Sequence, residues 1–120
     1  ELGKQGEDTA VEFLQQNGHE IIARNYRFGK AEVDIISKDG KFFVFTEVKT
    51  RSGNSFGKPE EFVDKKKRLL TKRAADEFMH VRKLDSEIRF DVISINKEKS
   101  SLSIFHIKDA FFNEEDLKYN

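Results

Sequence analysis

The sequence predicts an α/β fold, a sheet with helices packed on it, and three observations support that. Two stretches, residues 2–17 and about 59–83, carry apolar residues at helical spacing. Five shorter stretches are rich in Val, Ile, Phe and Tyr and are bounded by turn residues, as strands are. Their order is α-β-β-β-α-β-β, with no repeat, low-complexity tract or linker between them. The 120 residues suit one domain, residues 1–120, with a modest core.

The elements follow in order. In residues 2–17, Ala10, Val11 and Leu14 form a stripe with Phe13 at its margin, and Gly18 is a helix stop. Residues 20–28, 31–37 and 41–49 read as three strands. Asp39-Gly40, between the second and third, is a strong hairpin signal. Residues 52–58 read as a polar, glycine-rich loop, and Pro59 opens the second helix where proline is favoured. Its apolar positions are Phe62, Val63, Leu69, Leu70, Ala74, Phe78 and Val81, with Lys66 and Arg73 inside that arc and Lys67 outside it. Residues 87–96 and 101–108 read as a closing hairpin, and a short helical tail is expected from Asp109.

Composition narrows the function classes. There is no cysteine, so there is no disulfide framework and no thiolate metal site, which fits a cytoplasmic setting. No apolar run approaches the ~18 to 20 residues of a membrane span, and no signal-peptide pattern is visible. Formal net charge is zero, so no global basic field advertises nucleic acid. The charge is uneven, however: residues 64–73 are strongly basic and 113–116 acidic. The three histidines are scattered and read as incidental. Neither a Walker spacing nor a hydrolase triad is visible.

With Asp39-Gly40 as a two-residue turn, Ile36 meets Phe43, Asp34 meets Phe45 and Glu32 meets Glu47. Strand alternation then puts Val33, Ile35, Phe42, Val44 and Val48 on one face. The other carries Ile36, Phe43 and Phe45, and then Glu32, Asp34, Glu47 and Lys49 at one end. Asp34 lies diagonally from Glu47, at roughly 7 Å between backbones. Solvated strand ends are one account of this cluster. Against that, the run 41–46 is apolar on both faces, as a covered central strand is.

Other residues bear on the same place. Glu7 heads the stripe of the first helix, and Gly3 and Gly6 leave room for close approach; Glu7 reads equally as an N-terminal acid favoured by the helix dipole. Lys66 either snorkels to the surface or meets the carboxylates. Lys65, Lys67, Arg68 and Lys72 read as a solvated face. Arg24, Arg27 and Arg51 are candidates for phosphate contacts. Carboxylates without thiolate or imidazole suit Mg²⁺ or Mn²⁺. Asp34 and Glu47 are the candidate ligands, with the Val48 carbonyl as a third and Glu32 and Lys66 as accessories. Lys49 can orient a water or stabilise a charged transition state, which describes phosphodiester hydrolysis.

The segments GKQGEDTAVEFLQQNGHEIIARNYRF, KAEVDII, FTEVKTR, FGKPEEFVDKKKRLLTKRA and IRFDVISI resemble the YraN-like family of small bacterial proteins, over about Gly3–Ala110. That family resembles archaeal Holliday junction resolvases of the restriction-endonuclease-like PD-(D/E)xK superfamily. The resemblance implies an α-β-β-β-α-β core with a central mixed sheet flanked by helices, and metal-dependent cleavage of DNA, including branched DNA. It implies Glu7, Asp34, Glu47 and Lys49 as catalytic residues, and it allows a homodimer. Ala31 stands where the motif commonly has glycine. A nucleic-acid-binding domain without catalysis on the same fold is the alternative.

Overall fold

The fold is described over residues 2–52 and 65–110 of a computed structural model. Helix α1 (Leu2–Gln16) leads into strands β1 (Glu20–Phe28), β2 (Ala31–Asp39) and β3 (Phe42–Ser52). Helix α2 (Lys65–Val81) and strands β4 (Glu87–Glu98) and β5 (Ser101–Ile107) follow. The strands form one mixed sheet in the order β1-β2-β3-β4-β5. β3 and β4 are parallel and every other neighbouring pair is antiparallel. Among the described residues, no helix is long and apolar enough to cross a membrane.

The helices cover opposite faces. On one, Ala10 and Leu14 of α1 pack against Ile35, Ile93 and Ile95. On the other, Ala74, Ala75, Phe78 and Met79 of α2 pack against Ile36, Phe43, Phe45, Phe90 and Val92. The alternation of 90/92 with 93/95 along β4 is the two-residue period of a strand buried on both sides. Both helices stop in the same way. Gly18 (φ 90) and Lys83 (φ 54) take left-handed conformations. The next amides, of His19 and Leu84, bond back to the carbonyls of Leu14 and Met79, each at 2.9 Å.

Gly6 is where α1 meets the sheet. A Cβ there would run into the Thr50 hydroxyl, so only glycine allows the approach. The room expected from Gly6 is thus used, and it brings the next residue, Glu7, to the end of β3.

The hairpin differs from the sequence expectation. The turn is Gly40-Lys41, and Asp39 pairs with Phe42. Gly40 takes φ 60, as the first residue of a glycine-led hairpin turn does. Asp39 stays in the strand because its carboxylate is bound, to Arg89 Nη1 at 3.2 Å and His19 Nε2 at 3.4 Å. The register therefore moves by two residues, an even shift that leaves the faces of the paired stretches 35–39 and 42–46 as expected. The partners change: Ile36 faces Phe45, and the pairing ends at Ile35 opposite Thr46, one step short of Asp34 opposite Glu47. Glu32 pairs with Arg27 of β1 instead of Glu47.

Two further expectations need correction. Val33 packs with the α2 cluster whereas Ile35 packs with the α1 cluster, so β2 changes face between them. The change coincides with Asn25 of the paired strand, whose φ is 54. Asp109 itself lies in a turn (φ 57), its amide bonded to Asp91 Oδ1. Arg73, expected inside the apolar arc of α2, is exposed. The start at Pro59, nearly all of the loop 52–58 and the tail beyond Ala110 lie outside the described residues.

Candidate functional site

Beyond Ile35 and Thr46 the hairpin strands part, and a cleft of about 640 Å³ opens there. Its walls come from four places: Gly3 and Glu7 of α1, residues 27, 30–32 and 34 around the β1–β2 turn, residues 47–51 of β3, and Lys66, Lys67, Leu70 and Thr71 of α2. It gathers Glu7, Arg27, Glu32, Asp34, Glu47, Val48, Lys49, Arg51 and Lys66, all expected from sequence. Six lining residues are basic (Arg27, Lys30, Lys49, Arg51, Lys66, Lys67) and four acidic (Glu7, Glu32, Asp34, Glu47). In a chain of zero net charge, the lining of this cleft thus carries two more basic than acidic residues.

Asp34 and Glu47 are the enclosed acids, 8 % and 7 % exposed. Asp34 Oδ2 accepts a 2.8 Å hydrogen bond from the Val48 amide, replacing a strand-pairing contact with a side-chain one. Burial first, and the Glu47 charge next, push the Asp34 carboxyl up to about 7, against the pull of the Val48 bond. Glu47 Oε2 takes the Lys67 ammonium at 2.8 Å and the Lys49 ammonium at 3.5 Å. Burial draws the Lys67 amine down, but its bond to Glu47 and the surrounding acids outweigh that and leave it raised.

The remaining residues fall into place around this pair. Arg27 Nη2 bonds Glu32 Oε2 at 2.9 Å across β1 and β2. Arg24 lies off the cleft: its Nη2 is 2.8 Å from Asp8 Oδ1 and 3.6 Å from Glu7 Oε1, so it ties β1 to α1 beside Glu7. The Ala31 methyl, 4 % exposed, packs into the α2 cluster, so the departure from glycine is absorbed by the core. Lys67 was legible in principle. Lys67, Thr71, Ala74 or Ala75 and Phe78 form a helical stripe, and the last four are buried. The polar Thr71 hid it, because an arc drawn through apolar residues passes it by. Lys30 was missed because a turn residue has no periodicity.

The donor set can be tested against a divalent cation. Among the described residues, no three His, Cys, Asp or Glu side chains are grouped so as to hold an ion by themselves. Two carboxylates, one backbone carbonyl and open cleft volume remain. Mg²⁺ commonly takes one or two carboxylates and completes its shell with water and substrate phosphate. Two like-charged carboxylates in low dielectric, one pushed toward its neutral form, are what a dication relieves. The residues fit such an ion.

A second polar cluster lies at the far end of α1. Asp91, fully buried, accepts both arms of Arg89 at 2.9 Å, His106 Nε2 at 2.8 Å and the Asp109 amide at 3.0 Å. His19 Nδ1 meets Ser37 Oγ at 2.8 Å. The histidines at 19 and 106 are therefore structural members of a network, which their scattered sequence positions did not show. Burial lowers the His19 imidazole, and the His106 and Arg89 bonds hold the Asp91 carboxyl low despite its burial.

Comparison with known proteins bears on the whole arrangement. A family model described as "Uncharacterised protein family UPF0102" matches residues 6–95, which include Glu7, Asp34, Glu47, Lys49 and Lys67. A UPF0102 protein of Christiangramia forsetii is 48% identical over 112 residues, covering 93% of this chain and 94% of the relative. One from Bacteroides thetaiotaomicron is 45% identical, covering 93% of each chain. One from Thermodesulfovibrio yellowstonii is 44% identical, covering 93% of this chain and 96% of the relative. Strands β1–β3 and all of the cleft lining but Gly3 thus lie within the matched span, and the chain belongs to the uncharacterised protein family UPF0102, the YraN-like family.

Proposed function

We propose that the cleft binds a phosphodiester backbone, and that the protein is a Mg²⁺-dependent endonuclease acting on DNA, branched DNA included. The observation that carries this is the buried Asp34–Glu47 pair lying beside Lys49 in a basic cleft. The chemistry a divalent cation supplies there is Lewis acidity toward a phosphate oxygen and acidification of water. The chain's own residues do the rest. Asp34, Glu47 and the Val48 carbonyl hold the ion. Arg27, Lys30, Arg51 and Lys66 take phosphate oxygens and fix the strand. The Lys49 ammonium donates to the phosphate as charge builds in the transition state. Glu7 faces the cleft from α1, held by Arg24, and accepts a proton from water. A cytoplasmic setting goes with this reading.

Incubation of the full chain with junction, flap and duplex DNA in Mg²⁺ or Mn²⁺ tests it. Cleavage is expected, and loss of cleavage in Asp34→Ala and Glu47→Ala. Cleavage that survives both substitutions, or none at high protein concentration, rejects it.

A second reading has its own observation. Glu47 already carries two ammonium groups on one oxygen, so its charge is balanced without metal. A nucleic-acid-binding domain without catalysis would use the cleft in that state. It predicts DNA binding that needs no divalent ion and weakens with salt.

A further inference from the structure

Two cations converge on one oxygen of Glu47, and they differ in kind. Lys49 stands two residues away on β3, its side chain 21% exposed. Lys67 reaches over from the beginning of α2, its side chain 39% exposed, and has the closer contact, 2.8 Å against 3.5 Å. The backbone beneath Lys67 is fixed: Thr71 Oγ1 donates to the Lys67 carbonyl at 2.9 Å, and Thr71 itself is buried. The four-carbon stem above it has rotatable bonds, and Arg51 and Lys66 line the same cleft. An ammonium that donates to an oxygen at 2.8 Å stands in the space an ion on that oxygen would take.

We propose that Lys67 is the resident counter-ion of Glu47, seated in the place of the divalent cation and exchanged for it. When the cation takes Glu47 Oε2, the ammonium moves to the phosphate-binding side of the cleft and adds to the charge that meets the substrate. Lys49 makes the longer contact, 3.5 Å, and keeps its role toward the phosphate. The exchange makes phosphate binding and ion binding cooperative: the cation releases a donor that the phosphate then uses. This inference rests on the metal reading above and assigns Lys67 as a positioning residue beside it.

Calorimetric titration of the full chain with Mn²⁺ tests the exchange, comparing wild type with Lys67→Met, Lys67→Gln and Lys67→Arg. Removing the competing ammonium is expected to tighten Mn²⁺ binding about tenfold, the scale of one charge-assisted contact. Lys67→Arg, which restores a cation, is expected to bind close to wild type. A loosened fold weakens binding and so cannot imitate the gain. Mn²⁺ bound by the Met variant but not by wild type also supports the exchange. Unchanged or weaker affinity in both Met and Gln variants, with wild type binding, overturns the exchange and leaves the metal reading standing. No Mn²⁺ binding by any of the chains overturns both.

Discussion

The Asp34 carboxylate closes the parted end of the β2–β3 hairpin, its Oδ2 2.8 Å from the Val48 nitrogen. That bond keeps an acid in a buried place, and the acid resists ionisation there, titrating near 7 in place of its usual 3.8. The folded chain therefore holds this proton more tightly than the unfolded chain does. Ionising Asp34 costs stability progressively as pH rises from about 4, and the cost is complete above about 7. Asp34→Asn keeps an acceptor for Val48 and removes the charge. Urea unfolding at pH 4, 6 and 8 should show the Asn variant gaining on wild type as pH rises, by a few kcal/mol at pH 8, given about 1.4 kcal/mol per unit. A constant difference across pH would contradict this.

Asp91 titrates in the opposite sense. Its folded-state pKa is depressed, so it contributes stability above the unfolded value of 3.8, and loses it as pH falls through the lower folded one. Asp91→Ala leaves Arg89 and His106 facing each other across a buried gap. Breaking a buried pair from one side costs about 3–5 kcal/mol, and that loss should be measurable at pH 7 by chemical denaturation. Replacing Arg89 and Asp91 together by Met and Leu should cost much less than Asp91→Ala alone, although Asp39 and His106 lose a partner.

Gly6→Ala sets helix propensity against packing. Alanine is the better helix former by about 1 kcal/mol, yet its methyl meets the Thr50 hydroxyl. Overpacking typically costs about 1–3 kcal/mol, so the variant should melt earlier than wild type. Adding Thr50→Ala should recover most of the loss, which a double-mutant cycle reads directly.

Phe78 anchors α2. It is fully buried, with ring centroids 5.3 Å from Tyr26 and 5.8 Å from Phe45, and Arg82 sits 3.9 Å over its face. Phe78→Ala should cost about 3–5 kcal/mol. Because α2 also carries Lys67, salt-dependent binding of an oligonucleotide should weaken in the same variant.

How much could be read beforehand depended on the kind of signal. Hydrophobic period placed both helices and all five strands, because burial on a face writes itself into the spacing. Strand alternation put Glu47 and Lys49 on one face of β3, which a register error of two residues leaves untouched; Asp34 joins them through its bond to the Val48 amide, at the point where β2 changes face. The turn was misplaced because Asp39-Gly40 and Gly40-Lys41 both satisfy hairpin chemistry. Contacts with Arg89, fifty residues away, and with His19 decide between them. The Asp91 network escaped for a similar reason: its partners lie in other elements, and one sequence holds no record of distant pairing.

The parallel pairing of β3 with β4 has a kinetic consequence. Phe42 pairs with Glu87, 45 residues on (87 − 42), and no part of this ladder can form until that long loop has closed. The helix that spans the loop also delivers Lys67. Local hairpins such as β1–β2 and β4–β5 are expected to form early, and the contact of Lys67 with Glu47 closes a loop of only 20 residues. The β3–β4 ladder is the slowest pairing by the same reasoning, so a probe spanning those two strands would report completion of the native state.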